Sequence, residues 1–370
     1  KKRAMPCLCD SEIQDAKKNN QTLIIHNEKV YDVTKFVNVH PGGSKILSLR
    51  HGKDVTNIMA NAPHVHSKNA YRWLQQYYVA DYKPENSTSL NGLNGPEIRD
   101  RKLSYNGKQN ASPASNQLYE IKPTEDLINW NEPVLWQVGH LREKYHDWVD
   151  DPVDRSLRLF KSDFCEFFSK TPWYIIPLVW LPIVALFVLR SHTEFLAGKA
   201  MILHSLPGPY KIFFFQVFVS GILLWTFLEY GLHRWLFHSE PPKTSYFLIT
   251  LHFLLHGQHH KVPFDSGRLV FPPVPASMLF LIAYSVFRLC FVVGVADIVS
   301  AGVILGYVGY DMTHYYLHYG QPKRGSYFDR LRAYHVRHHF ESPNLGFGIS
   351  SKLWDYPFQT TIKTNKEKNF

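Results

Sequence analysis

Four long apolar stretches in the second half of the chain set the strongest limit on its fold. Residues 173–189 carry no formal charge; 212–232 carry one acid, Glu229; 275–295 carry one base, Arg288; 298–317 hold Asp311 and His314 near their end. Each is about the length needed to cross a ~30 Å hydrocarbon core. Four such stretches argue for membrane spans rather than buried helices of a soluble protein. The mean hydropathy of −0.23 conceals them, because it averages in a polar N-terminal half. Pro172 stands where the first span would begin, a position that suits proline. Residues 275–313 suffice for two spans joined by a tight turn near Ala296-Asp297, which carries no Lys or Arg. The flanking stretches carry Arg234, Lys243, Lys261, Arg268, Lys323, Arg324, Arg330, Arg332, Arg337 and Lys352. The positive-inside rule places both flanks in the cytosol, and an even number of spans brings the N-terminal half to the same side.

The rest of the 370 residues is organised differently. Residues 8–82 read as a small soluble domain. Residues 83–123, rich in Asn, Ser, Gly and Pro, read as a flexible linker with a random-coil reach of roughly 32–38 Å. Residues 124–172 form an aromatic and charged connector, lying at a membrane interface or forming a soluble helical link. The membrane domain then runs over 173–360, with a short tail at 361–370. A net charge of +10 suits an acidic lipid surface or a cytosolic membrane face; no nucleic acid partner is expected. Four cysteines in 370 residues, Cys7, Cys9, Cys165 and Cys290, exclude a disulfide scaffold, and the lack of a C-x-x-C pair excludes a zinc ribbon.

Histidine is the outlier, with 20 residues. Four groups fall in the membrane half: His233 and His238; His256, His259 and His260, preceded by His252; His314 and His318; and His335, His338 and His339. Spacings of three and four place imidazoles on one helical face. The spacing of five between His233 and His238 turns the ring by about 140° on an ideal helix, so the helix should end or distort there. All groups lie at the cytosolic ends of the spans, where they can converge. Two metal ions with four or five imidazoles each would use ten of these rings, with His252 kept outside the set. Imidazole suits several metals, but zinc has no redox chemistry. Iron is expected in the active form; zinc binds such sites more tightly than ferrous iron, so a purified sample could carry zinc in its place. Glu229 and Asp311 lie four and three residues before ligand groups. Each would take the free N–H of a metal-bound imidazole, or reach to the interface. Tyr310, Tyr315 and Tyr316 read first as interfacial aromatics and second as pocket lining. Arg288 has no assignment.

The N-terminal domain holds His40-Pro41-Gly42-Gly43 and, further on, His66-Ser67-Lys68-Asn69-Ala70. Two histidines on opposite sides of an apolar slot would fill both axial positions of a haem iron, which then carries electrons. Residues 8–82 resemble cytochrome b5. The resemblance implies haem b with His40 and His66 as axial ligands, and not the neighbouring His64. Leu23 stands where that family usually has Trp, and Val79-Ala80 where it closes with Ile-Gly; both concern packing.

Residues 170–360 resemble the fatty acid hydroxylase/sterol desaturase superfamily through the order His-x4-His, His-x2-His-His, His-x3-His, His-x2-His-His. Together with the N-terminal domain and Gly346-Phe347-Gly348-Ile349-Ser350, the chain is similar to the fatty acid 2-hydroxylase family almost end to end. The expected fold is multidomain: a small α+β haem domain, then an all-α membrane domain with four transmembrane helices and a cytosolic helical cap holding the dimetal site. The resemblance implies O2-dependent hydroxylation at C2 of a long-chain fatty acid or fatty acyl substrate for sphingolipid synthesis. No Gly-rich dinucleotide fingerprint follows a strand, so a separate NAD(P)H-dependent cytochrome b5 reductase is the expected electron source. Lys366 and Lys368 resemble the dilysine retrieval signal of endoplasmic reticulum membrane proteins. The sequons at Asn86 and Asn110 should stay unmodified on the cytosolic side. The alternatives are a related sphingolipid or sterol hydroxylase or desaturase, and a non-catalytic membrane electron carrier.

Overall fold

The computed structural model describes residues 6–38, 40, 44–61, 66, 68–85, 127–198 and 210–363. Pro41 to Gly43, His64, both sequons, nearly all of the expected linker and the tail lysines lie outside them. The chain divides into two compact units, Lys1–Glu125 and Asp126–Phe370.

The first unit is built on a four-stranded sheet of order β1-β4-β3-β2. Its strands are β1 (Cys7–Leu8), β2 (Leu23–His26), β3 (Lys29–Asp32) and β4 (Tyr78–Tyr82). β2 and β3 form a hairpin across Asn27 and Glu28, both with positive φ (47° and 57°), as a tight two-residue turn requires. Among the described residues the unit also holds four short α-helices, α1 (Asp10–Lys18), α2 (Ser44–Ser48), α3 (Thr56–Ala60) and α4 (Lys68–Gln75), and a 3-10 turn at Thr34–Phe36. One face of the sheet buries Ile24, Tyr31 and Val33 with Leu47, Val55, Met59 and Leu74 from the helices and loops.

The second unit is helical. Its short N-terminal helices are α5 (Leu135–Val138), α6 (Tyr145–Val149) and α7 (Asp163–Phe168). Among the described residues, four helices are long and apolar enough to span a membrane: Ile175–Leu196, Lys211–Phe237, Pro273–Cys290 and Val293–Tyr319. They comprise α8 (Ile175–Leu196), α9 (Tyr210–Gly231) with its continuation Leu232–Phe237, α12 (Pro273–Cys290) and α13 (Val293–Tyr319). Between the second and third lie α10 (Tyr246–His252), the segment Phe253–Gly257 and α11 (Gln258–Lys261); α14 (Tyr327–Phe340) follows the last span. Ser245 and Ser326 start α10 and α14, their hydroxyls accepting from the N–H groups of Leu248 and Asp329.

α13 is the central span, with 72% of its apolar window buried, against 6% for α12. Its close crossing with α9 depends on paired glycines. A Cβ at Gly221 would lie 2.3 Å from the Val299 carbonyl, and one at Gly302 would lie 2.1 Å from that of Phe218. The expected turn at Ala296-Asp297 is corrected: the chain breaks at Phe291–Val292, and both residues are buried inside α13. Asp297 reads as a turn residue, yet its carboxylate accepts from Arg190 Nε (2.6 Å) and Nη2 (2.7 Å) and from the Tyr284 hydroxyl (2.8 Å). This pairing makes burial of the acid tolerable. Arg288 gains an assignment. It sits in the last turn of α12, exposed, and donates to the Phe291 carbonyl at 3.4 Å.

Residues 127–160 pack onto the histidine-bearing segment. Val134, Leu135, Val138, Tyr145, Trp148 and Leu159 share one apolar core with Ile249, Phe253 and Val262. Lys261 Nζ is buried against this layer and donates to the carbonyls of Trp148 and Asp151.

Candidate metal centre and its cavities

The ten spaced histidines converge into two groups of five. His233, His238, His256, His260 and His338 form the first; His259, His314, His318, His335 and His339 form the second. Within each group the ligand atoms lie within 4.8 Å of one another. Helix phase explains the sorting. His256 and His260, four apart, point the same way, while the adjacent His259 faces the other group. His335 and His339 likewise share the second group, and His338 crosses to the first.

The five-residue spacing of His233 and His238 is accommodated by a stretch of π-helix at Leu232–Phe237, closed by His238 N–H donating to the His233 carbonyl at 3.0 Å. Widened turns of this kind recur at functional sites. A second π segment, Phe253–Gly257, follows His252, which belongs to neither group. His252 Nδ1 instead meets the Tyr145 hydroxyl at 2.6 Å, and its ring also bonds the Phe237 main chain.

The hydrogen bonds fix which nitrogens carry lone pairs. His233 Nδ1 donates to the Phe347 carbonyl at 2.6 Å and His338 Nδ1 to that of Leu345 at 2.7 Å. Their Nε2 atoms are therefore bare acceptors, yet they face other Nε2 atoms: His233 to His256 at 3.3 Å, and His338 to His238 at 3.1 Å. In the second group, His335 Nε2 lies 3.1 Å from His314, 2.9 Å from His318 and 3.1 Å from His339. Converging lone pairs repel unless a cation sits among them, so the donor sets fit a metal ion in each group. Burial first, then neighbouring imidazoles, lowers His256, His259, His260, His335 and His339 well below the usual histidine range; burial takes His338 to about 4. Neutral imidazole is the ligating form. The Nδ1 atoms of His314, His335 and His339 are buried without a hydrogen-bond partner among the described residues, so packing holds these rings.

Glu229 and Asp311 are both buried and accept from main-chain N–H groups, with neither an imidazole contact nor a reach to the interface among the described residues. Glu229 accepts from Ile349 N–H (3.1 Å), Ser350 N–H (2.6 Å) and the Ser350 hydroxyl (2.5 Å). Asp355 accepts from Phe347 N–H and Gly348 N–H, both at 3.0 Å. The two carboxylates clamp the loop whose carbonyls orient His233 and His338. Asp311 accepts from Phe271 N–H at 3.2 Å. The sequence gives no sign of Leu345 and Phe347, which act through main-chain carbonyls, or of Asp355, whose carboxylate grips main-chain N–H groups rather than a ligand. The Gly346-Phe347-Gly348 run marks the loop itself. Gly346 has φ of 76°, and a Cβ there would lie 2.6 Å from Ile362.

Two cavities flank the groups. The larger, of about 520 Å³, is walled by apolar residues such as Phe160, Phe168, Leu254 and Phe271, and also touches His256, His259, His314, Tyr310 and Asp311. Tyr310 stacks on His314, whereas Tyr315 packs on Trp173 and Tyr316 on Phe328. Phe164 and Val274 line the cavity and are also 73% and 64% exposed, so they mark its rim, Val274 at the start of the third span. The smaller cavity, of about 100 Å³, is lined mostly by polar residues, together with Val149, Phe237 and Pro343, and reaches His238, His256 and His260.

In the first unit, His40 and His66 are both half-buried. His66 Nδ1 donates to the Met59 carbonyl at 3.2 Å, leaving Nε2 for an iron. Phe36 packs edge-on against His40, with ring centres 5.7 Å apart. The donor chemistry fits a haem ligand.

Residues 218–360 match the fatty acid hydroxylase family, and residues 10–83 match the cytochrome b5-like heme/steroid binding domain. The chain is 46% identical over 341 residues to the fatty acid 2-hydroxylase of Mus musculus, covering 90% of this chain and 89% of the relative. It is 44% identical to that of Homo sapiens, covering 95% and 94%. The ceramide very long chain fatty acid hydroxylase SCS7 of Saccharomyces cerevisiae is 32% identical, covering 93% and 91%. A solved structure of full-length scs7p, in which only the hydroxylase domain is visible, superposes with a TM-score of 0.55 at 32% identity, covering 64% of this chain and 86% of that one. A haem-binding type of domain, four candidate spans, two five-imidazole groups and near end-to-end likeness to these enzymes lead to one assignment: the chain belongs to the fatty acid 2-hydroxylase family.

Proposed function

We propose that the chain hydroxylates C2 of long-chain fatty acyl groups destined for sphingolipids, with O2 as oxidant and electrons delivered through its own haem domain. The observation that carries this reading is the pair of five-imidazole groups whose His256, His259 and His314 also line the apolar cavity of about 520 Å³. That volume is in the range of small-ligand sites. The balance is one C–H, one O2, two electrons and two protons giving one C–OH and one water.

The ten imidazoles would hold two iron ions, and His40 and His66 a haem b. Together these groups supply electron transfer and oxygen activation when bound. The residues of the chain bind and orient. Phe160, Phe168 and Leu254 would hold the acyl tail and exclude water, while Phe164 and Val274 admit it from the bilayer. The Glu229–Asp355 clamp keeps His233 and His338 aimed. Residues 8–82 act as the electron-carrying domain, 83–123 as its tether, 124–172 as the connector and 173–360 as the hydroxylase, in the endoplasmic reticulum membrane with both sites facing the cytosol. A separate NAD(P)H-dependent cytochrome b5 reductase would be the electron source for the haem that His40 and His66 would hold.

Lipid analysis of cells with and without the protein tests the reading. Sphingolipids bearing hydroxyl at C2 of the acyl chain should depend on it. A C4 hydroxyl or a new double bond would assign the chain a sister activity, and unchanged lipids would leave it an electron carrier.

A further inference from the structure

The two groups of histidines differ in how water-borne species can reach them. The small cavity touches three members of the first group, His238, His256 and His260, and none of the second. Its remaining wall includes Asp150, Glu240 and His146, and Ser239, Glu240 and Asn344 are exposed. It therefore runs from solvent to ligand nitrogens. Among the described residues, the second group instead meets the apolar cavity, through His259 and His314. A divalent ion would lose most of its hydration there without replacement, at high cost.

Resting on the two-metal reading, we infer that the small polar cavity is the loading port for a divalent cation, which enters at the first group before the second is filled. Its volume of about 100 Å³ is enough to admit water. A hydrated ion must shed part of its shell before it reaches the imidazoles. Asp150, Glu240 and His146 offer oxygen and nitrogen donors to replace it, a set suited to ferrous iron or zinc. Burial, with Asp147 and Glu240 adding to it against His146 and Lys261, raises Asp150 to about 6, so it is ionised at neutral pH. Beyond the port, the His260 and His339 rings, one from each group, lie 4.4 Å apart and form the shortest ring-to-ring step between the groups.

The test is Zn²⁺ uptake by the metal-free full-length chain, followed in time by competition with a chromophoric chelator. Uptake should be biphasic and end at two ions. Asp150→Asn with Glu240→Gln should slow the fast phase by about tenfold, the scale of electrostatic focusing into a cleft, without lowering the final stoichiometry. Glu240→Gln alone, at an exposed site, should slow it in the same sense without threatening the fold. Ser239→Trp, which plugs the mouth, should slow both phases. Unchanged fast phases in these variants, or slowing by Leu255→Trp in the apolar cavity instead, would overturn the port. A parent chain that binds one ion or none would bring down the two-metal reading itself.

Discussion

The clamp formed by Glu229 gives the sharpest quantitative expectation, because its carboxylate touches no imidazole and yet governs one. Glu229→Ala removes the acceptor of Ile349 N–H, Ser350 N–H and the Ser350 hydroxyl. Leaving the two main-chain donors unsatisfied would cost about 2–6 kcal/mol, taking 1–3 for each. The loop will shift to water rather than bear that cost. Its Phe347 carbonyl then no longer holds His233 Nδ1, now 2.6 Å away. Asp355 still grips Phe347 N–H and Gly348 N–H, so the shift is partial. Loss of an outer hydrogen bond to a ligating imidazole typically weakens metal binding by about 10–100-fold, or about 1.4–2.7 kcal/mol.

The measurement is a Zn²⁺ titration of the metal-free chain against a competing chelator, in a His335→Ala background that disables the second group. Glu229→Ala should weaken the remaining site by about 10–100-fold, while Glu229→Gln, which keeps an oxygen for the two N–H groups, should stay within about threefold of the parent. Haem content should not change. The reasoning fails if Glu229→Ala binds as tightly as its parent. It fails equally if, in a His338→Ala background, the second group weakens as much as the first.

Other consequences are as direct. His40→Ala or His66→Ala should abolish the six-coordinate haem absorption spectrum while the metal content of the second unit persists; His64→Ala should spare the spectrum. Metal analysis should give two non-haem ions per chain, with one lost in His338→Ala and one in His335→Ala. The metal-free protein should be acid-labile. Burial lowers His252 and His338 to about 4, so the folded chain refuses protons that the unfolded chain accepts. Their stabilising effect is complete above about 6.5 and fades as pH falls towards the folded values, a trend read as a falling Tm. In a eukaryotic host, Asn86 and Asn110 should show no glycosidase-sensitive mass shift, and a shift at either would reverse the proposed topology.

Much of this was legible in residue spacing. The spans follow from apolar length, and the ten ligand candidates from intervals of three, four and five. The distortion between His233 and His238 follows from the phase error of five residues on a 3.6-residue helix. What stayed hidden depended on partners distant in sequence. Asp297 looked like a turn because its neutralising Arg190 lies on another helix. The π segment after His252 has no comparable signal, since four residues already fit an ordinary helix to His256. Residues 127–160 looked like a connector because their apolar partners, Ile249 and Phe253, lie about a hundred residues further on.

The paired His-x2-His-His groups explain why neither metal group stands alone. Adjacent helical residues point about 100° apart, so one helix can feed two centres only if its i and i+4 rings serve one and the residue just before i+4 serves the other. α11, with the segment before it, gives His256 and His260 to the first group and His259 to the second. α14 does the reverse, giving His335 and His339 to the second and His338 to the first. Each centre thus takes a pair from a span end, a pair from one of these helices and a single ring from the other. A one-residue insertion after Gly257 would rotate His259 and His260 together by about 100° and remove a ligand from both centres at once. The two groups are therefore coupled through the backbone of the same two helices, and that coupling places the rings of His260 and His339 side by side between them.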